Sequence, residues 1–134
     1  MGSNVIETPS RVSQDGSVDE AQRYVDAFNA GDVEALAAMM SPEYRYVDRY
    51  AGGTVDAESH LAVIKDVHER MPDRQISVDR IVDAGGSQIV EGEWSGTPPG
   101  GATLRTHLLI ILDVVDGLVA SGRAYYREAD LQVS

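Results

Sequence analysis

Cysteine is absent from all 134 residues. That excludes disulfide staples and thiolate metal sites, and it leaves the redox compartment open. Lysine is nearly absent: Lys65 stands alone among 11 basic residues, the rest being arginines. This skew points to a GC-rich genome. Positive charge is scarce overall, with 22 acidic residues against those 11 and a net charge of −11. A surface of that sign repels a phosphate backbone, so a nucleic-acid partner is excluded. No apolar run approaches the roughly 18 residues needed to span a bilayer. The first residues, MGSNVIETPS, have neither the charged nor the apolar segment of a secretory signal. The expected location is therefore cytoplasmic, without a membrane partner.

What the chain does have is enough length for one domain with its own core. Residues 1–16 are polar, aperiodic and carry Pro9 and Gly16, and they read as a tail. The domain is expected over residues 17–134. Ser17 and Glu20 have capping-box spacing at the start of a first helix. Val18, Ala21, Val25 and Phe28 then recur on one helical face, with Tyr24 beside them. Gly31 suits a left-handed helix stop, and Asp32 suits the cap of a second helix whose apolar face is Val33, Leu36, Ala37 and Met40. Ser41-Pro42 is expected to end it. Tyr44, Tyr46 and Asp48 next alternate with Arg45, Val47 and Arg49, which is the period of a strand.

After a loop, RYAGGT, a third helix is expected from about Ala57 to Met71, stopped by Pro72, with Leu61, Ile64, Val67 and Met71 inside. His60 and His68 fall in or beside that stripe. Each reads either as a pocket group or as a helix-edge imidazole with an ordinary hydrogen bond. Eight residues apart, they lack the i, i+4 spacing of a helical zinc pair, so no metal is expected. QISVDRIVDA, a Gly85-Gly86 turn and SQIVEGEWSGT read as a hairpin. TLRTHLLIILDVV, an Asp116-Gly117 turn and LVASGRAYYREADL read as a second one. Three helices followed by a meander make the fold class α+β.

QRYV at residues 22–25, NAGD at 29–32 and the aspartate sixteen residues later resemble the bacterial ketosteroid isomerases, within the wider NTF2-like and SnoaL-like superfamily. The resemblance implies an NTF2-like cone: three N-terminal helices packed on a curved antiparallel sheet, with a pocket at its open end and a homodimeric assembly. It implies that Tyr24 donates to an oxyanion and that Asp48 is the general base. The isomerases place a second, protonated acid on the long penultimate strand. Counting back from Gly117, the corresponding position here is Leu109 without a gap or Leu108 with a gap of one. Neither donates a hydrogen bond. On the ungapped count His107 shares the face of Leu109 and is the candidate substitute. Loss of the second acid favours a cyclase over a steroid isomerase.

The expected function is thus acid–base chemistry, without a cofactor, on a hydrophobic carbonyl-bearing substrate. The outcome is isomerisation or polyketide-type ring closure. The candidate catalytic residues are Tyr24, Asp48 and His107. The candidate pocket residues are Tyr44, Tyr46, His60, His68, Trp94, Leu109 and Tyr126, with packing the default reading of the tyrosines and of Trp94. The alternatives are a non-catalytic ligand-binding module, a true steroid Δ-isomerase, a protein-interaction domain and an epoxide hydrolase. The last resembles limonene-epoxide-hydrolase-like enzymes of the superfamily, which activate water with an arginine–aspartate pair on one strand and an aspartate on the final strand. Here the corresponding strand offers Glu91 and Glu93 with no arginine between, and the final strand Ala124-Tyr125.

Overall fold

The structure, a computed structural model, describes residues 19–48 and 53–131, apart from the side chains of Asp48 and Glu128. The expected tail over 1–16, the capping serine Ser17 and the loop start at Arg49 lie outside the described residues. The order of elements is α1 (Asp19–Ala30), α2 (Val33–Ala38), β1 (Met40–Asp48), β2 (Gly53–Asp56), α3 (Ala57–Arg70), β3 (Gln75–Asp83), β4 (Ser87–Gly96), β5 (Leu104–Val115) and β6 (Leu118–Tyr126). One turn of 3-10 helix, Glu128–Leu131, follows β6. Three helices and one six-stranded sheet, ordered β2-β1-β6-β5-β4-β3, make an NTF2-like α+β fold.

The NAGD segment sets how α1 meets the sheet. Asn29 bonds the backbone of β3 at two points: its Nδ2 donates to Ile76 O (3.0 Å), and its Oδ1 accepts from Ile76 N (2.8 Å). Gly31 has φ +71, and the His68 imidazole of α3 lies where a Cβ would go, so glycine is required there for two reasons. Asp32 caps α2 by accepting from Ala35 N at 3.0 Å. At the other end of α1, buried Gln88 of β4 accepts from Ala21 N (2.7 Å) and donates to Glu20 (2.8 Å). This satisfies one of the orphan donors of the first turn.

Helix α2 is shorter than the apolar period predicts. It has six residues, and Met40 already belongs to β1. Six residues cannot hold a helix alone. Leu36, fully buried, ties it down, and burying such a side chain contributes about 1.5–3 kcal/mol. Pro42 lies inside β1 instead of before it. It falls between the Met40–Val119 pairing and the Arg45–Asp48 ladder, where the register shifts and no ladder bond is asked of its nitrogen. Strand β2 replaces part of the expected loop. It is a four-residue edge, exposed throughout, so no apolar alternation announces it.

The sheet is antiparallel except where β6 returns beside β1, which makes that pair parallel. Asp116 and Gly117, both at positive φ (54 and 79), form the tight β5–β6 turn. Three register shifts, with extra residues in β1, β3 and β6, bend the sheet. Where β3 shifts, its backbone folds so closely over β4 that a Cβ on Gly92 would strike the Ser77 carbonyl oxygen. Helices α1 and α3 cover the concave face, and the core lies between them and the sheet.

Candidate active site

A cavity of about 350 Å³ opens between α1, α3 and the concave face of the sheet. Its wall is mostly apolar. Phe28, Ile64, Val67, Ile76, Leu108 and Ile110 contribute to it, and Val63, 57% exposed, marks its rim. The polar atoms come from Tyr24, Tyr46, His60, Trp94, Thr106 and Tyr126. A volume of this size suits a small molecule.

Two of these polar groups, Tyr24 and His60, are joined through Tyr44. Tyr24, one α1 turn before Phe28, has a hydrogen-bond interaction with Tyr44. The Tyr44 hydroxyl is 2.9 Å from His60 Nδ1. The His60 ring stacks on Tyr46, centroids 3.7 Å apart and planes 14° apart. Tyr24, Tyr44 and His60 are all buried. Burial raises Tyr24 to a pKa of about 12, against the lowering effect of the bond with Tyr44. Burial raises Tyr44 further, helped by the neighbouring tyrosines. Both phenols therefore hold their protons at neutral pH and act as donors.

The structure brings together Tyr24, Tyr46, His60, Trp94 and Tyr126 around one cavity. Tyr44 sits behind the wall, fully buried, as the link between Tyr24 and His60. Asp48 ends β1 two residues after Tyr46, paired with Gly53 on one side and with cavity-lining Ala124 on the other. Its side chain lies outside the described residues.

Three expected positions are corrected. His107 is exposed and lies with Leu109 in a groove on the outer face of the sheet, across from the cavity. The cause is plain strand alternation: β5 pairs with β4 without a register shift, and the extra residue of the β5–β6 pair, Ala120, lies in β6. Thr106, Leu108, Ile110 and Leu112 are buried in unbroken alternation, so Leu108, not Leu109, is at the inward position. His68 packs beneath Gly31 at the α1–α2 break, also away from the cavity. Its position eight residues after His60 is two turns of α3, yet the helix faces a different neighbour there.

Glu91 and Glu93 lie outside, ion-paired with Arg80 (2.6 Å) and Arg105 (3.4 Å). That gives the water-activating epoxide hydrolase reading no carboxylate on β4. Among the described residues no group of His, Asp or Glu has the arrangement to hold a metal ion.

Two residues escaped the sequence reading. Thr106 lies opposite Trp94 in the cavity wall, with its Oγ1 held by Arg127 and Asp130. Arg74 is 1% exposed, and its guanidinium carbon is 4.1 Å from the centre of the Phe28 ring. Its Nε, Nη1 and Nη2 have no hydrogen-bond partner among the described residues. Desolvation lowers its pKa, but a guanidinium stays charged regardless. The available signal was parity: Arg74 is two residues before inward-facing Ile76.

The family model described as "SnoaL-like domain" matches residues 21–122. No curated protein matches the sequence significantly. Among solved structures, IdmH from Streptomyces antibioticus, a candidate polyketide cyclase, is 22% identical with a TM-score of 0.76, over 84% of this chain and 93% of its own. A protein with a ketosteroid isomerase-like fold from Catenulispora acidiphila, in complex with trimethylamine, is 15% identical with a TM-score of 0.78, over 86% and 90%. An M. tuberculosis LEH-like epoxide hydrolase is 14% identical with a TM-score of 0.74, over 87% and 86%. Likeness at these identities carries the fold alone.

Proposed function

This chain belongs to the SnoaL-like domain family, and we propose that it is an acid–base enzyme that cyclises or isomerises a hydrophobic, carbonyl-bearing, polyketide-like small molecule. The observation that carries this reading is the Tyr24–Tyr44–His60 chain, whose two ends, Tyr24 and His60, lie in the wall of a mostly apolar cavity. Such a chain has little value in a ligand-free core. It has a use where an oxygen gains negative charge.

Asp48 is the base in this proposal. Strand alternation puts it in step with Tyr46, and its register puts it beside Ala124, both of which line the cavity. A carboxylate at an apolar cavity loses hydration and becomes more basic. It removes a proton from the carbon next to the substrate carbonyl. The electron pair moves into the carbonyl, whose oxygen becomes an enolate held by the Tyr24 hydroxyl. Tyr44, donating to Tyr24, and His60 behind it spread that charge. The enolate carbon then either attacks a second carbonyl of the same molecule, closing a ring, or is reprotonated at a conjugated carbon. In either case the protonated Asp48 returns its proton. Leu108, at the inward position of β5, supplies no second donor, which favours ring closure over steroid isomerisation.

The test is catalysed exchange of the methyl protons of 2-acetylnaphthalene in heavy water, followed by NMR. The wild-type chain should accelerate exchange over buffer. Asp48→Asn should abolish the acceleration, and Tyr24→Phe should reduce it by about 10²–10³. Exchange at the buffer rate, or exchange indifferent to both substitutions, would refute the proposal. Retained binding with no exchange would leave a non-catalytic ligand-binding module.

A further inference from the structure

Arg74 breaks a rule that nearly all buried charges obey. A guanidinium presents five N–H donors, and taking it out of water costs several kcal/mol unless acceptors replace the lost hydration. Here the side chain is 1% exposed, and no acceptor among the described residues meets Nε, Nη1 or Nη2. The contact with the Phe28 face offsets only part of that cost.

The surroundings are those of a binding end. Arg74 directly precedes β3 and has the same parity as Ile76, which lines the cavity. Phe28, beneath the guanidinium, lines it too. Trp94, also in the cavity wall, lays its ring over Gly96, whose other close neighbour is Arg74 Cβ. A Cβ on Gly96 would strike the Trp94 ring and crowd Arg74 Cβ. Phe28 thus lies between the cavity and a guanidinium with no partner among the described residues, and Trp94 packs close to the base of the same side chain.

We propose that Arg74 binds a carboxylate group of the ligand, at the Phe28–Trp94 end of the cavity. Displacement of the Phe28 ring opens the guanidinium to the cavity, and the planar fork then takes the carboxylate in two parallel hydrogen bonds. This inference rests on the proposed function and narrows it. Tyr24 and Phe28 are one turn apart, about 6 Å along α1. The carboxylate anchors one end of the substrate, and the reacting carbonyl lies several carbons away, at Tyr24. The substrate class is thus an apolar keto acid. The preference cannot come from the general field, since a net charge of −11 repels anions.

The experiment compares 6-phenylhexanoate with 6-phenylhexanamide near neutral pH. Fluorescence of Trp94, the only tryptophan, reports binding. The wild type should bind the carboxylate about tenfold or more tightly than the amide, as a charge-assisted pair in a dry site requires. Arg74→Met should bind both alike, with its amide affinity within about threefold of wild type. Arg74→Lys should keep part of the preference, as a point charge without the fork. Without ligand, Arg74→Met should melt no lower than wild type, because an unpaired buried charge is replaced by an apolar side chain.

Equal binding of the two probes by wild type, no carboxylate binding, a preference that survives in Arg74→Met, or a marked drop in the melting temperature of Arg74→Met would each overturn the inference. Carboxylate preference without proton exchange on 2-acetylnaphthalene would keep it and remove the catalytic reading. Proton exchange without carboxylate preference would do the reverse.

Discussion

Removing one oxygen atom from the centre of the polar chain is the sharpest test of how it is built. In Tyr44→Phe the ring stays, so no packing is lost beyond that atom. The hydroxyl has two partners, His60 Nδ1 at 2.9 Å and the Tyr24 hydroxyl. Two hydrogen bonds at about 0.5–1.5 kcal/mol each give roughly 1–3 kcal/mol, and both abandoned partners are buried, which pushes the loss to the upper half, about 2–3 kcal/mol. Urea unfolding followed by Trp94 fluorescence should move its midpoint down by about 1–2 M with an unchanged slope. Tyr44 also lowers the Tyr24 pKa, so its removal raises that pKa and makes Tyr24 a weaker donor. Proton exchange should therefore slow even where the variant is fully folded. A double-mutant cycle with His60→Ala should return a coupling of about 0.5–3 kcal/mol. A loss below about 0.5 kcal/mol together with strict additivity would refute the chain, because the three groups would then be solvated or bonded elsewhere.

Alkaline pH should destabilise the fold through Tyr24 and Tyr44. Their folded-state pKa values are raised by burial, so their contribution is whole below the ordinary value of 10.0 and is lost as pH rises through about 12 for Tyr24. Tyrosinate absorbance should show a fraction that ionises only as the chain unfolds, reduced by one in Tyr24→Phe. Asn29→Ala should cost about 1.5–3 kcal/mol, because both backbone groups of Ile76 lose their partner. Hydrogen exchange at the Ile76 amide should accelerate in Asn29→Ala, while Asn29→Asp, which keeps only the acceptor, should protect it.

Much of the architecture was legible in the sequence because the signals are local. The stripe from Ala21 to Phe28, the glycine stop at Gly31 and the cap at Asp32 each depend on residues within one or two turns. So do the turns at Gly85-Gly86 and Asp116-Gly117. Strand β2 and the 3-10 turn after β6 were not legible. The first has no buried face, and the second is a single turn of four residues, EADL, too short to show a helical period.

For the candidate site, the sequence by itself determined which residue types lie on α1 and β1. It placed Tyr24 beside the stripe and Tyr44, Tyr46 and Asp48 in strand step, since helical and strand periods follow from backbone geometry. Only the tertiary structure decided which of them meet. His60 joins Tyr44 because α3 crosses β1, a contact between residues sixteen apart that no period encodes. His107 and Leu109 went to the outer face because the core covers the side of β5 that carries Thr106, Leu108, Ile110 and Leu112, and in a strand with leucine and isoleucine on both faces the alternation does not say which side is inside. Arg74 looked like one arginine among ten. What distinguishes it is a buried charge with no acceptor among the described residues, a property of the three-dimensional neighbourhood and not of the residue.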